Sequence, residues 1–155
     1  MMDFPKVLTA MGIASFIAGV GISYLFSIEG VSFAFGLGPV LDLVFITAGI
    51  FVLSMGFFGY GAPVVMLLTG LAYGNYVISE PIAGIATVLP MVIALYAGAN
   101  AGNLIHLDLQ GKANLYEHLG GIGRPLAVAV VLAVAVGFLA PGLPALPEIA
   151  AAIGL

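Results

Sequence analysis

The chain has 155 residues, of which 63% are hydrophobic and 6% are charged, and its formal net charge is −4. A soluble domain carries roughly 25% charged residues because its surface must be hydrated, so this composition excludes a water-soluble globule and predicts a surface that faces lipid. The acidic balance excludes nucleic acid as a partner, and a chain without cysteine has no disulfide or thiolate chemistry.

Five apolar stretches follow one another, divided by polar residues and by turns that contain glycine and proline. A membrane-spanning helix needs about 20 mainly apolar residues, and we predict spans at about 6–27, 39–58, 62–78, 81–105 and 124–139. Residues 31–38 are glycine-rich, 106–123 form a polar loop, and the proline-rich tail 140–155 has room for an additional half-helix. The sequence therefore predicts an all-α, polytopic integral membrane helix bundle with one transmembrane domain over residues 1–155.

The few charged residues predict an orientation. Basic residues prefer the cytoplasmic side of a membrane, and five crossings place Lys6, Lys112 and Arg124 on one side. The same count places three acidic residues on the other side: Glu29, Glu80 and Glu148. If the short third stretch did not cross, Lys112 and Arg124 would lie opposite Lys6. We expect a multi-pass protein of a prokaryotic cell membrane, with a cytoplasmic N-terminus and an external C-terminus.

Small residues recur at helical spacing on several predicted spans. Close backbone approach through small residues is a main source of helix association in lipid. The pattern predicts helix-packing positions at Ser15, Gly19, Ser23, Gly70, Gly74, Pro90, Gly98 and Gly102, with Ala10, Ala14 and Ala18 beside the first group. These residues pack the helices of one bundle or form the interface of a homo-oligomer, and the spacing alone leaves both open.

The third and fourth spans are predicted to form a hairpin around Glu80. In that hairpin Gly74 is level with Thr87 and Gly70 is level with Met91. We therefore expect the groove at Gly70 and Gly74 to receive the fourth helix near Pro90, where a kink frees backbone groups that need partners.

A few polar residues fall inside the predicted spans, where a buried polar group must be hydrogen-bonded. The candidates for a polar pathway are Asp42, Thr69, Asn75, Asn100 and Asn103. Asp42 is the only carboxylate within a span, which suggests a proton or cation site. It also lies in the first turn after Pro39, where the helix dipole accommodates an anion. The hairpin places Asn75 and the other two asparagines at opposite membrane boundaries, so a single shared site is not expected.

The polar loop contains two histidines and two acidic residues. His106, Asp108, Glu117 and His118 match no zinc-binding spacing, and we interpret them as solvated residues. The sequence contains no nucleophile elbow, no His-Glu-x-x-His and no phosphate-binding loop. We therefore predict no catalytic residue, no metal, no cofactor and no enzymatic activity.

Glycine and proline placement resembles one known family. The order is Gly59-Tyr60-Gly61-Ala62-Pro63, Leu68-Thr69-Gly70-Leu71-Ala72-Tyr73-Gly74, Leu89-Pro90 and Ala97-Gly98-Ala99-Asn100-Ala101-Gly102. Over residues 40–140 it resembles the stage II sporulation protein M-like family, which implies a small multi-span membrane protein. The family's Pro-His-Gly has no counterpart, because Met91 and Val92 follow Pro90, and its nearby Glu is also missing. No site residue is transferred.

Two functions remain open. The first is a non-enzymatic scaffold or accessory subunit that acts through helix–helix packing, with the lipid bilayer and either a second copy or another membrane protein as its partners. The alternative is a small transporter or channel subunit, with a polar pathway near Asp42 and the intramembrane asparagines. The small-residue stripes favour the first, and the single carboxylate within a predicted span is the main support for the second.

Overall fold

The computed structural model describes residues 4–27, 38–143, 148 and 151–154, which form five α-helices and no strand. The helices are α1 (Phe4–Leu25), α2 (Pro39–Ser54), α3 (Gly61–Ser79), α4 (Pro81–Leu109) and α5 (Gly120–Leu139). Short 3-10 turns occur at Gly56–Gly59, Leu115–His118 and Ala140–Gly142. The predicted all-α helix bundle is confirmed.

The helix ends follow the expected proline signals, but the polar loop is shorter than predicted. Pro39 and Pro81 each begin a helix, because a proline at the first helical position gives up no hydrogen bond. α4 continues past residue 105 to Leu109, and α5 begins at Gly120. Residues 31–37 and much of the tail, including the proposed half-helix, lie outside the described residues.

Four of the described helices, α1, α3, α4 and α5, are long enough and apolar enough to cross a membrane. The predicted span 39–58 is too long, because α2 has only 16 residues, or about 24 Å at 1.5 Å per residue, against a hydrocarbon core of about 30 Å. The helix ends where Phe57 and Phe58 take left-handed conformations, with φ of 53° and 58°. The short third stretch, in contrast, forms a helix of sufficient length.

Successive helices run in opposite directions. A Cβ atom on Gly12 of α1 would meet Leu95 of α4, and one on Gly59 would meet both Leu8 and Ala99. At the other side of the bundle, Gly137 near the end of α5 lies against Val40 at the start of α2. We call the end at which α1 begins the near end and the opposite end the far end. Lys6, Lys112 and Arg124 all lie toward the near end.

The most extensive packing in the bundle joins α1 to α3 through small residues. A Cβ on Gly19 would lie 2.5 Å from the Leu67 carbonyl oxygen, one on Gly70 would collide with the Phe16 carbonyl, and one on Gly74 would lie 2.5 Å from the Ser23 Cβ. The two backbones therefore touch along this stripe. Ser15, the remaining predicted small residue on α1, is only half-buried.

The predicted pairing of Gly70 and Gly74 with α4 is wrong, because these glycines face α1. Gly19 and Ser23 provide the matching small surface on α1, so this pair of helices can approach most closely. α4 instead approaches α3 at Gly84, where a Cβ would lie 2.7 Å from the Val77 Cα. The contact between Val77 and Gly84 has the register of the predicted hairpin. The predicted register is therefore correct, but the predicted face of α3 that contacts α4 is not.

α4 lies at the centre of the bundle, and its middle is buried on several sides. Met91, Ala94 and Leu95 have no exposed surface, and Met66 of α3 joins them. Pro90 is buried within an α4 that continues through it. Gly98 lies against α2, where a Cβ on this glycine would lie 2.7 Å from the Ser54 Cβ. The interior between the two ends is thus filled by apolar side chains.

Candidate functional site

Four helices each contribute a buried polar side chain at one level near the far end. These residues, which we call the polar layer, are Ser23 of α1, Asp42 of α2, Tyr73 of α3 and Thr87 of α4. Ser23 lies against Gly74, next to Tyr73 in the chain, and Asp42 is close enough to Tyr73 to act on it electrostatically. The hairpin contact between Val77 and Gly84 brings Thr87 to the same level.

The buried hydroxyls of the polar layer and of the bundle centre are satisfied to different degrees. Thr69 Oγ1 donates to the Val65 carbonyl at 2.7 Å, and Thr87 Oγ1 donates to the Gly84 carbonyl at 2.7 Å. In contrast, Ser23 Oγ and Thr47 Oγ1 are buried and have no hydrogen-bond partner among the described residues. A buried hydroxyl left unsatisfied costs about 1–3 kcal/mol. Both hydroxyls therefore retain their full capacity to donate and accept.

Asp42 occupies the first turn of α2, where its own N–H donates to the Gly38 carbonyl at 2.9 Å. Its side chain is only 8% exposed. The positive end of the helix dipole favours an anion at this position, so the backbone contributes to holding a carboxylate here. The chain's Lys and Arg residues lie toward the other end of the bundle.

The residues predicted to form a polar pathway fall into two separate groups. Asp42 and Asn75 lie toward the far end, and Thr69 lies between the two groups, near the middle of α3. Asn100 and Asn103 lie near the end of α4, and Asn100 Nδ2 donates to the Gly121 carbonyl at 3.1 Å, which ties α4 to the start of α5. The apolar side chains at the centre of the bundle separate the groups.

The near end contains an open cleft of about 400 Å³. It lies between the start of α1, the turn before α3 and the last turns of α4. Aromatic and aliphatic side chains and several hydrogen-bonding groups line it: Phe4, Phe58, Tyr60, Asn103, His106, Leu107, Gln110 and Lys112. Because it combines one cation with neutral polar and apolar surface, the cleft suits an amphiphilic anion.

A strained turn forms one wall of the cleft. Phe57 and Phe58 are left-handed and Gly59 follows with φ of 102°, and each non-glycine residue in this conformation costs roughly 1–2 kcal/mol. The turn is held against α4, since a Cβ on Gly102 would lie 2.7 Å from the Phe58 carbonyl carbon. This close contact aims the Phe58 ring into the cleft and leaves Phe57 exposed.

Ring contacts and one side-chain hydrogen bond order the cleft walls. Phe4 and Tyr60 meet edge to face with ring centroids 5.4 Å apart, and the Phe58 and His106 rings are 4.8 Å apart. His106 Nε2, in the last turns of α4, and Gln110 Nε2, directly after the helix, lie 3.0 Å apart. Residues four apart on a helix share a face, so these two side chains are held together.

The sequence does not predict the cleft. The interpretation of His106 as a solvated loop residue is wrong, because it lies in α4 and is half-buried. Two signals point to the site: the spacing of His106 and Gln110, which suits one helix face, and the two phenylalanines next to Gly59 before a helix. The tight approach of Gly59 to Gly102 is a tertiary contact, which no local pattern reveals.

A second stripe of small residues lies on the surface of α1. Ala10, Ala14 and Ala18 are exposed, and a Cβ on Gly21 would meet nothing within 4 Å. Ile17, on the same side, is 65% exposed. We call these five residues the α1 outer face. It points away from α3, so it is available to another helix or to lipid.

In the part of the chain that the structure describes, no three His, Asp or Glu side chains are grouped closely enough to hold a metal ion. Comparisons with family models, with curated proteins and with solved structures find no match to this chain. The resemblance to the stage II sporulation protein M-like family stays a prediction. Functional inference therefore depends on the chain's own residues and their geometry.

Proposed function

We propose that this chain is a multi-pass integral membrane protein that acts as a non-enzymatic scaffold or accessory subunit through helix contacts. The observation that carries the proposal is the α1 outer face, a small-residue stripe of the kind that supports close helix association in lipid. The filled interior supports it further, because Met66, Met91 and Leu95 are fully buried at the level where a pathway would have to pass.

All five helices cross the membrane in this proposal, including the short α2. The turn Gly56–Gly59 extends α2 to the level of Leu8 near the start of α1, and the start of α2 is level with Gly137. The near end, which holds the basic residues, is cytoplasmic by the positive-inside rule, and the membrane is a prokaryotic cell membrane. The helix is short by about 6 Å, which local thinning of the bilayer accommodates at modest cost.

Cysteine labelling tests the five crossings, because the chain has no native cysteine. Lys6→Cys and Gly56→Cys lie on either side of the α1–α2 segment, and both positions are exposed. If α2 crosses, a membrane-impermeant maleimide modifies both from the same side of a sealed vesicle. Labelling from opposite sides would show that α2 does not cross.

The scaffold role is tested by substituting the α1 outer face. Ala14→Leu adds bulk where a partner helix would approach, and Ala127→Leu is a matched control on the exposed surface of α5. In a mild-detergent extract we expect Ala14→Leu to reduce the mass of the native complex and Ala127→Leu to leave it unchanged. A native particle that contains one chain, or a complex indifferent to Ala14→Leu, contradicts the proposal.

The polar layer favours one alternative, a small transporter or channel subunit. Asp42 is buried at the same level as the Ser23 hydroxyl, which has no hydrogen-bond partner among the described residues. Ionisable residues inside membranes commonly mark proton or cation paths. If this alternative holds, proteoliposomes show a proton or potassium flux that Asp42→Asn abolishes while the thermal melting temperature stays the same. Wild-type vesicles without either flux would rule it out.

A further inference from the structure

The cleft at the near end has a composition that selects for negative charge. Its polar lining consists of the Lys112 ammonium, the amides of Asn103 and Gln110, the His106 imidazole and the Tyr60 hydroxyl. Among the lining side chains that the structure describes there is no carboxylate. Ammonium, amide and hydroxyl groups all donate hydrogen bonds, so they converge on an acceptor-rich, anionic ligand.

The end of α4 is built so that Lys112 reaches this cleft. Gly111 takes φ of 71°, its N–H donates to the Asp108 carbonyl at 3.0 Å, and the Lys112 N–H donates to the Leu107 carbonyl at 2.9 Å. These two bonds with a left-handed glycine form a Schellman motif. The motif folds the chain back along α4, which returns the basic side chain to the His106 face instead of releasing it into the following loop.

The apolar wall of the cleft lies beside the charged side. Phe4, Phe58 and Leu107 contribute hydrocarbon surface, and Phe57 of the same turn is 85% exposed. Aromatic side chains collect at the level of lipid headgroups because one part of the ring prefers lipid and the other tolerates water. A ligand that fits both walls has an anionic group joined to an apolar part.

We propose that this cleft binds the phosphodiester headgroup of an anionic phospholipid. Lys112 pairs with the phosphate oxygens, Asn103 and Gln110 donate to the remaining oxygens, and the glycerol and the first acyl carbons lie against Phe58 and Leu107. The inference rests on the proposed membrane placement, with the cleft in the headgroup region of one leaflet. Its specificity comes from the cation, since a zwitterionic headgroup brings its own positive charge beside Lys112.

Native mass spectrometry of the full chain, released from nanodiscs, tests the proposal. The nanodiscs contain equal amounts of phosphatidylglycerol and phosphatidylcholine with matched acyl chains. We expect one retained phosphatidylglycerol per chain, and a titration in detergent in which Lys112→Gln weakens its affinity about tenfold, the size of one charge-assisted hydrogen bond. Arg124→Gln is the matched control, because Arg124 is an exposed cation toward the same end outside the cleft lining.

Two further outcomes distinguish a lipid phosphate from a soluble phosphate, and a failure of the lipid proposal from a failure of the proposed function. If inorganic phosphate displaces the lipid at millimolar concentration, the ligand is a soluble phosphate and the lipid proposal is wrong. Equal retention of the two lipids, or an unchanged affinity in both Lys112→Gln and Asn103→Leu, also overturns it. Failure of the protein to assemble into nanodiscs would instead contradict the proposed function, and it is observed separately, before any lipid is measured.

Discussion

At the far end of the bundle Ser23, Asp42 and Thr87 are enclosed between helices, whereas at the near end Asn103, His106 and Lys112 line an open cleft. The difference comes from how the chain turns. At the far end α3 and α4 are joined through Glu80 alone, so the helix ends stay close together. At the near end the turn after α2 leaves the helix axis and α4 extends past it. Polar groups of similar number are thus buried at one end and accessible at the other.

The largest expected effect on stability is at Gly102, against which the turn Gly56–Gly59 packs. In Gly102→Ala the new Cβ would collide with the Gly59 N atom and lie 2.7 Å from the Phe58 carbonyl carbon. We expect the free energy of unfolding, measured by SDS titration in mixed micelles, to fall by about 3 kcal/mol, the upper range for overpacking. Gly49→Ala is the control, because its Cβ would meet nothing within 4 Å. Equal stability of the two variants would show that the turn does not require this close contact.

The strain of the turn gives the next effect, with the opposite sign. Phe57 is left-handed, with φ of 53°, and 85% exposed, so Phe57→Gly relieves strain and removes little packing. We expect a gain of about 1 kcal/mol in the same titration. Phe58→Gly relieves similar strain but loses the contact with the His106 ring, and it should give no gain. A loss of stability in Phe57→Gly would mean that this ring is anchored by contacts outside the bundle.

A buried hydroxyl in the middle of α2 predicts a gain of similar size. Thr47→Val keeps the side-chain shape and removes a hydroxyl that is buried without a partner among the described residues. We expect stability to rise by about 1 kcal/mol. Thr69→Val is the comparison, because it deletes a hydroxyl that donates to Val65 and should not stabilise. If Thr47→Val is destabilising, the hydroxyl holds a bound water or ion, which would favour the transport alternative.

The smallest effect is expected at the contact between α4 and α5. Asn100→Ala removes the bond to the Gly121 carbonyl, and interhelical hydrogen bonds in membrane proteins contribute roughly 0.6 kcal/mol on average. Thermal melting in detergent should decrease slightly for Asn100→Ala. Asn103→Ala, one turn further along α4 in the cleft, should leave the melting temperature unchanged. A larger decrease in melting temperature for Asn103→Ala would show that the side chains of the cleft stabilise the bundle.

Much of the architecture follows from local sequence. Pro39 and Pro81 mark helix starts, the apolar runs give five helices among the described residues, and the hairpin register at Val77 and Gly84 follows from the single-residue turn at Glu80. The length of α2 does not follow, because nothing local in 39–58 indicates that Phe57 and Phe58 take left-handed conformations. The spacing of Gly70 and Gly74 predicts a contact face but not which neighbour occupies it.

The sequence by itself determined that this protein is an all-α bundle, because scarce charge and long apolar runs leave few other ways to satisfy the backbone in lipid. It also set the small-residue spacing and placed the basic residues at or beyond the ends of the apolar runs. Only the tertiary structure decided that Gly70 and Gly74 face α1, that Asp42 shares a level with Ser23 and Tyr73, and that His106 faces a cleft with Lys112. These features depend on which helices pack against each other. In lipid that pairing is set by how closely two whole helix backbones can approach, which no local sequence preference determines.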